Sequence, residues 1–237
     1  MAEIRGFHLR PRPSVRERRL ATLLAERGRS AEDPQLRGIV EDAWLLGSLE
    51  LSGLGSSWEE VRRSRRAGDG PAAVLAMRRA RVAVDDAQPL SVRAIRAWHA
   101  ALLGPAGFRR APRERAGPPT APPELIESRL ALLEGWIDTP SARDLQPEQV
   151  AAVVLARVVE ILPFEDGNGR TSRLAASHVM VRGGRRPPIL VAADGPRLAA
   201  CLEAAIRLDT EPLVALLGEA SERCVDVMVQ SLERGES

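Results

Sequence analysis

The sequence predicts an all-α protein, and three features carry that reading. Apolar residues recur at helical spacing along most of the chain, alternating strand patterns are nearly absent, and glycine and proline gather between the periodic stretches. No internal repeat is present, and 237 residues with 44% hydrophobic content suit one enlarged helical domain. The first thirty residues are basic and proline-punctuated. They read as an N-terminal arm over 1–30, followed by a single domain over 31–237.

Leu36, Ile39, Val40 and Ala43 place a helix over about 33–46. In GSLELSGLGSSWEEV the glycines mark a turn, and Ser57 with Glu60 stands at capping-box spacing for a fresh helix. A loop over 66–70 leads into PAAVLAMRRARVAV, with Val74, Met77, Ala80 and Val84 on one face. Ser91 caps a helix that turns Ile95, Trp98, His99 and Leu102 inward and ends before Gly104 and Pro105. Residues 104–123 hold too much glycine and proline for an interior element and read as an exposed flap, with a short β-hairpin as one form. Helices follow over about 124–136 and 147–161, the second almost wholly apolar and therefore central. Pro163 stops it. A helix over 168–182 ends at Gly183-Gly184 in an expected left-handed termination, and two more, 196–208 and 211–233, close the chain.

Composition narrows the function. The net charge of +2 arises from 34 basic and 32 acidic residues, a balance that gives no reason to expect nucleic acid as the main partner. The clusters Arg62, Arg63, Arg65, Arg66 and Arg185, Arg186 lack interleaved aromatics and read as solvated faces. No apolar run is long enough to span a bilayer, and residues 1–19 are arginine-rich where a secretory signal would be apolar, so a cytoplasmic location is expected. Cys201 and Cys224 sit in apolar patterns as buried thiols, and no Cys/His cluster suggests a metal. Every lysine-or-arginine position is arginine, tyrosine is absent, and the sole asparagine is Asn168.

The chemistry concentrates in ILPFEDGNGRTSRLAAS, residues 161–177. Gly167, Asn168 and Gly169 place bare backbone N–H groups at a helix N-terminus, where unsatisfied donors and the helix dipole favour an anion such as phosphate. Arg170 and Arg173 share a helix face and can offer two guanidinium forks to neighbouring phosphates. Asp166, just upstream, is placed to hold Mg²⁺ beside them. A glycine-rich turn with surface charges is the plain alternative, and two spaced arginines, an acid and the only asparagine together argue against it.

Pro163, Phe164, Asp166, Gly167, Asn168, Gly169, Arg170 and Arg173 resemble the Fic motif, His-Pro-Phe-x-(Asp/Glu)-Gly-Asn-Gly-(Lys/Arg)-x-x-Arg, at every fixed place but the first, which is Leu162. The resemblance extends over roughly 40–220: IRAWHAALLG with PAGFRR looks like the family's entry into the flap, and PPTAPPELIESRLALLEGWI like the exit. It implies a Fic/Fido-type helical domain, Mg²⁺ at Asp166, an anion hole at Gly167 to Gly169, and ATP phosphates, or those of another nucleotide, on Arg170 and Arg173. The family histidine takes a proton from a target hydroxyl that attacks the α-phosphate and leaves AMP on the target (AMPylation). An imidazole suits that task because its pKa of about 6.5 lies near working pH, whereas Leu162 has no lone pair to offer.

Ser48-Leu49-Glu50-Leu51-Ser52-Gly53 further resembles the family's inhibitory frame (Ser/Thr)-x-x-x-Glu-(Gly/Asn), with Ser52 where the glutamate would pair the second motif arginine. Brake and base are then both missing, and Arg173 is expected to stand unoccupied. His99 reads as a core histidine, His178 as too distant to act, and Glu165 as a weak replacement base. The leading expectation is a nucleotide-binding adenylyltransferase relative whose own transfer is absent or severely impaired, a pseudoenzyme acting by binding. Its rival is an active transferase that uses another phosphate-bearing donor without a histidine. A protein target and a homo-oligomer are compatible with both.

Overall fold

The computed structural model describes residues 14–113 and 119–235, and no strand occurs among them. Eleven α-helices follow in order: α1 Val15–Glu26, α2 Pro34–Glu50, α3 Trp58–Ala67, α4 Ala72–Val82, α5 Val92–Leu103, α6 Ile126–Ile137, α7 Pro140–Arg143, α8 Pro147–Ile161, α9 Asn168–Arg182, α10 Gly195–Ile206 and α11 Glu211–Arg234. Short 3₁₀ turns at Pro123–Leu125 and Ala192–Asp194 lead into α6 and α10. The all-α expectation holds.

The central pair is α8 and α9, which share the most extensive interface in the molecule. Val154, Leu155 and Val158 of α8 and Leu174, Ala175 and Met180 of α9 are essentially inaccessible to solvent. A helix this apolar gains most of its stability by being covered on several sides, here by α6, α10 and α11. α2 crosses the ensemble, touching α3, α4, α9 and α11, and so brings the end of one helix to the start of another. Ser57 and Ser91 cap α3 and α5 through their hydroxyls, the first in a full capping box.

Three details differ from the sequence reading. The segment taken as a basic arm contains α1: Ser14 and Glu17 close a capping box, and Leu20 and Leu23 are buried against α11. Exposed pairs Arg16–Asp226 and Arg19–Glu233 flank that contact, and residues 1–13 of the arm lie outside the described set. The flap shows no hairpin in 104–113 and 119–123; Pro105, Pro112, Pro119 and Pro122 each withhold a ladder donor, and residues 114–118 lie outside the described set. The expected left-handed end of α9 is present at Gly184, φ 76°. Finally, α2 continues to Glu50, through the glycine expected to end it. A Cβ at Gly47 would lie 1.9 Å from the Leu190 carbonyl oxygen, so glycine is needed there for close approach to the 189–191 segment.

The same helix is anchored by buried Asp42, which accepts from Arg65 Nε at 2.8 Å and Arg78 Nη2 at 2.7 Å. Other arginines of the sequence clusters are also paired: Arg63 with Asp69, Arg185 with Glu148 and Arg186 with Glu17. No helix among the described residues is long and apolar enough to cross a membrane. Cys201 and Cys224 are buried free thiols, as expected, and burial pushes Cys224 up to about 12.

Because the atom opposite Gly47 is backbone, it cannot rotate aside. Gly47→Ala is expected to destabilise the protein by about 1–3 kcal/mol, an overpacking cost that outweighs the better helix propensity of alanine. Urea denaturation of the two proteins checks this, and an unchanged or higher midpoint contradicts the close approach.

Candidate functional site

The motif loop, residues 162–167, joins α8 to α9 and is clamped from three directions. Leu162 ends α8 in the left-handed conformation, φ 49° and ψ 61°, which is costly for a leucine. Arg109, 2% exposed, donates from Nε to the Leu162 carbonyl at 2.7 Å and from Nη1 to the Ala111 carbonyl at 2.7 Å. Its Nη2 donates to the Ala121 carbonyl. One guanidinium thus ties both stems of the flap to the residue where the base would stand. Two backbone bonds repeat the tie, Arg109 N–H to the Pro163 carbonyl and Ala121 N–H to the Glu160 carbonyl.

The second clamp is Asn168. Its Oδ1 accepts the Phe164 N–H at 2.9 Å while its Nδ2 donates to the Phe164 carbonyl at 2.7 Å. The carboxamide therefore closes the loop instead of facing a ligand, and only the backbone N–H of Asn168 remains for the anion hole. The third clamp is His99, whose ring stacks on Phe164 with centroids 3.7 Å apart. Its Nε2 lies 3.0 Å from the Asp166 carbonyl. A carbonyl only accepts, so Nε2 carries the proton; buried Nδ1 has no partner, and this core histidine is only half satisfied. Burial lowers its pKa first, with Arg170 adding to the effect. Gly167, φ 76°, rests against His99 and Leu103, where a Cβ would approach Leu103 to 2.8 Å.

Beyond the clamps lies the cradle. The first intrahelical bond of α9 is Thr171 N–H to the Gly167 carbonyl, which leaves the Asn168, Gly169 and Arg170 N–H groups as the helix's unsatisfied donors. Arg170, 7% exposed, stands 3.5 Å from Asp166, whose own side chain is 80% exposed. Arg173 is buried and does not stand unoccupied: Nε donates to Ser48 Oγ at 2.9 Å, and Nη2 to the Ser48 carbonyl and Ser52 Oγ, both at 2.7 Å. All three acceptors are uncharged. Burial, with Arg170 close by, lowers the Arg173 pKa to about 10, so it stays charged at neutral pH. Ser52 is therefore where the inhibitory frame places it, in contact with the second motif arginine. Ser48, the serine that opens the frame one helical turn before Ser52, was not expected to bond Arg173 and does so through both its hydroxyl and its carbonyl. Glu50 makes no contact with Arg173 and lines a groove elsewhere.

His178 packs beside Trp98, and its Nδ1 lies 3.4 Å from Asp86, too loose for a hydrogen bond. No group of three or more His, Cys, Asp or Glu able to hold a metal exists among the described residues. The loop offers two exposed carboxylates, Glu165 and Asp166, of which Asp166 stands beside Arg170. That donor set fits Mg²⁺, which is commonly held by one or two carboxylates with substrate phosphates and water, and does not fit an all-protein cage.

Residues 89–180, which hold α5, the flap and the α8–α9 loop, match the Fic/DOC family. The match spans 92 of the chain's 237 residues and marks that segment as similar to the family. Protein adenylyltransferase Fic of Culex quinquefasciatus is 32% identical over 98 residues, covering 41% of this chain and 20% of that protein. Protein adenylyltransferase fic-1 of Caenorhabditis briggsae is 31% identical over 111 residues, covering 47% and 22%. The chain thus spans about a fifth of the length of these curated relatives. Among solved structures, a Fic domain containing signaling protein from Bacteroides thetaiotaomicron superposes with a TM-score of 0.76 at 19% identity, over 94% of this chain and 99% of that one. Fic-1 of C. elegans gives 0.75 at 22% identity, over 92% and 72%. These likenesses reach well beyond 89–180 and establish that the fold, α2 included, is the Fic fold.

The state of His99 sets a pH dependence. Its folded pKa lies below its unfolded value of about 6.5, so protons bind the unfolded chain more tightly. Its contribution to stability is complete above about pH 6.5 and declines as pH falls toward the folded pKa. The stability difference between wild type and His99→Gln should accordingly narrow between about pH 7 and 5; a difference that widens on acidification contradicts the neutral, buried ring.

Proposed function

We propose that this Fic domain holds a Mg²⁺–nucleotide, ATP in the first instance, at the N-terminus of α9, and that transfer of AMP to a hydroxyl is absent or severely impaired. Arg173 carries this reading. A buried cation facing only uncharged oxygens has given up hydration without gaining a counter-charge, and Arg170 beside it adds repulsion. An anion between the two guanidinium groups relieves both costs, and the free N–H groups of α9 point to the same region. Asp166 would hold the magnesium, which supplies charge neutralisation at the phosphates. Leu162 offers no atom that can accept a proton from an attacking hydroxyl. A protein acceptor is part of the proposal, since one solved relative in fold, IbpAFic2, is described as covalently tethered to Cdc42. The cytoplasm is the proposed compartment.

The rival reading, transfer from a different phosphate-bearing donor, has one observation in its favour. Arg109 and the left-handed backbone keep position 162 in a constrained geometry even without a base there. General-base catalysis contributes roughly 10²–10⁴-fold, so an intact cradle retains capacity for a reaction that does not need it. Labelled donors incubated with the protein separate the two: incorporation from a donor other than ATP that disappears in Arg170→Ala supports the rival.

Calorimetric titration with ATP and Mg²⁺ tests the leading reading. Arg173→Ala removes a charge-assisted contact worth about 1.5–3 kcal/mol and is expected to weaken binding at least about tenfold. Absence of heat and of thermal shift with several nucleotides sinks it.

Leu162→His is expected to create AMP transfer, read as self-modification with α-labelled ATP. Histidine tolerates positive φ better than leucine does, so the exchange fits the backbone and restores a base worth up to roughly 10²–10⁴-fold. Adding Ser52→Glu should suppress that activity, because a carboxylate 2–3 bonds from the present hydroxyl position pairs with Arg173. A folded, nucleotide-binding Leu162→His that labels nothing would show that the pocket differs by more than its base.

A further inference from the structure

Beside the motif, α5 and the 105–107 loop enclose an open groove of about 630 Å³ lined by Val92, Arg93, Arg96, Ala97 and Ala100 and closed by Pro105 to Gly107. Its floor is methyl and methylene carbon. Its rim is cationic: Arg93 and Arg96 are exposed, stand three residues apart on one face of α5, and form no ion pair among the described residues. Glu134, whose carboxylate accepts the Val92 N–H at 3.0 Å, pairs with neither. This contrasts with Arg185 and Arg186, whose charges are met by Glu148 and Glu17.

The groove is mechanically continuous with the site. Arg96 lies over the Phe108 ring at 5.3 Å, Phe108 packs on Phe164 with centroids 5.6 Å apart, and Phe164 stacks on the histidine that holds the Asp166 carbonyl. Resting on the reading that the acceptor is a protein, we infer that this groove docks an acidic polypeptide segment of that acceptor, its carboxylates on Arg93 and Arg96 and its small side chains on the alanine floor. Single-stranded nucleic acid is the other anionic polymer, and the lining offers no exposed aromatic on which a base could stack. Exposed ion pairs are individually weak and screened by salt, so several carboxylates must act together and the affinity must fall with ionic strength.

The test is fluorescence anisotropy with a short fluorescein-labelled peptide of glutamate, serine and alanine, compared with its glutamine counterpart. The full chain should bind the acidic peptide, release it as salt rises, and ignore the glutamine version. The double variant Arg93→Glu with Arg96→Glu should bind at least about tenfold more weakly while keeping its helical content and its ATP titration. Reversal of two remote arginines of α3, Arg62→Glu with Arg66→Glu, should leave peptide binding intact. Undiminished binding by the α5 variant, equal loss in the α3 variant, or tighter capture of a single-stranded oligonucleotide through Arg93 and Arg96 would each overturn the inference. The ATP titration is read separately, so loss of nucleotide binding with intact peptide capture defeats the proposed function and leaves the groove standing.

Discussion

The contact on which this site depends is Arg173 against the last turn of α2. The guanidinium begins on α9 and is held by oxygens of Ser48 and Ser52, more than a hundred residues away in sequence, so its position is only as firm as that of α2. Two features fix that helix. Gly47 allows it to reach the Leu190 carbonyl, and Asp42 draws Arg65 and Arg78 onto it from α3 and α4. The helix that resembles an inhibitory element is thus a structural wall of the cradle, and it would be needed even where inhibition is not. This explains why the frame keeps its serine and its shape although the glutamate is absent.

The motif loop obeys a separate logic. Each of its clamps acts on backbone: Arg109 on the Leu162 carbonyl, Asn168 on both polar groups of Phe164, His99 on the Asp166 carbonyl. None of them bonds the side chain at 162, so these bonds do not depend on which side chain stands there. A leucine held at positive φ costs on the order of 1–2 kcal/mol, and it persists because neighbouring bonds determine the backbone. The catalytic group and the scaffold that aims it are therefore separable, and a chain can lose the first while every bond of the second remains.

Much of this was legible in the sequence. The α8 and α9 boundaries followed from apolar periodicity, Pro163 and the Gly-Asn-Gly turn, because those signals are local. The placement of Ser52 beside Arg173 followed from the resemblance, which carried long-range information that periodicity lacks. What escaped were features set by tertiary contact. α1 lies in a segment whose arginines and prolines suggested an arm, although Leu20, Leu23 and Leu24 stand at helical spacing, and α11 covers Leu20 and Leu23. Gly47 reads locally as a helix end and proves to be a point of close packing. Asn168 stood out as the only asparagine, but its work is to close a loop, a role visible only once Phe164 lies within reach.

The neutral cap on Arg173 also decides what kind of control is left at this site. A carboxylate there would form a charge-assisted pair that a phosphate has to displace, a contest between two strong partners. Hydroxyl and carbonyl acceptors bring no counter-charge, so their bonds to the guanidinium, about 1.5–3 kcal/mol each, are weaker than a full ion pair. An arriving anion need not displace all of them: Nε and Nη2 hold the serines, while Nη1 lies toward Gly169, where a Cβ would come within 3.2 Å of it. The serines orient the guanidinium and leave one edge for the ligand. On the proposed reading α2 would set the geometry of anion binding without opposing it, so occupancy would follow ligand concentration, and control would enter through the ligand supply or through a partner that moves α2.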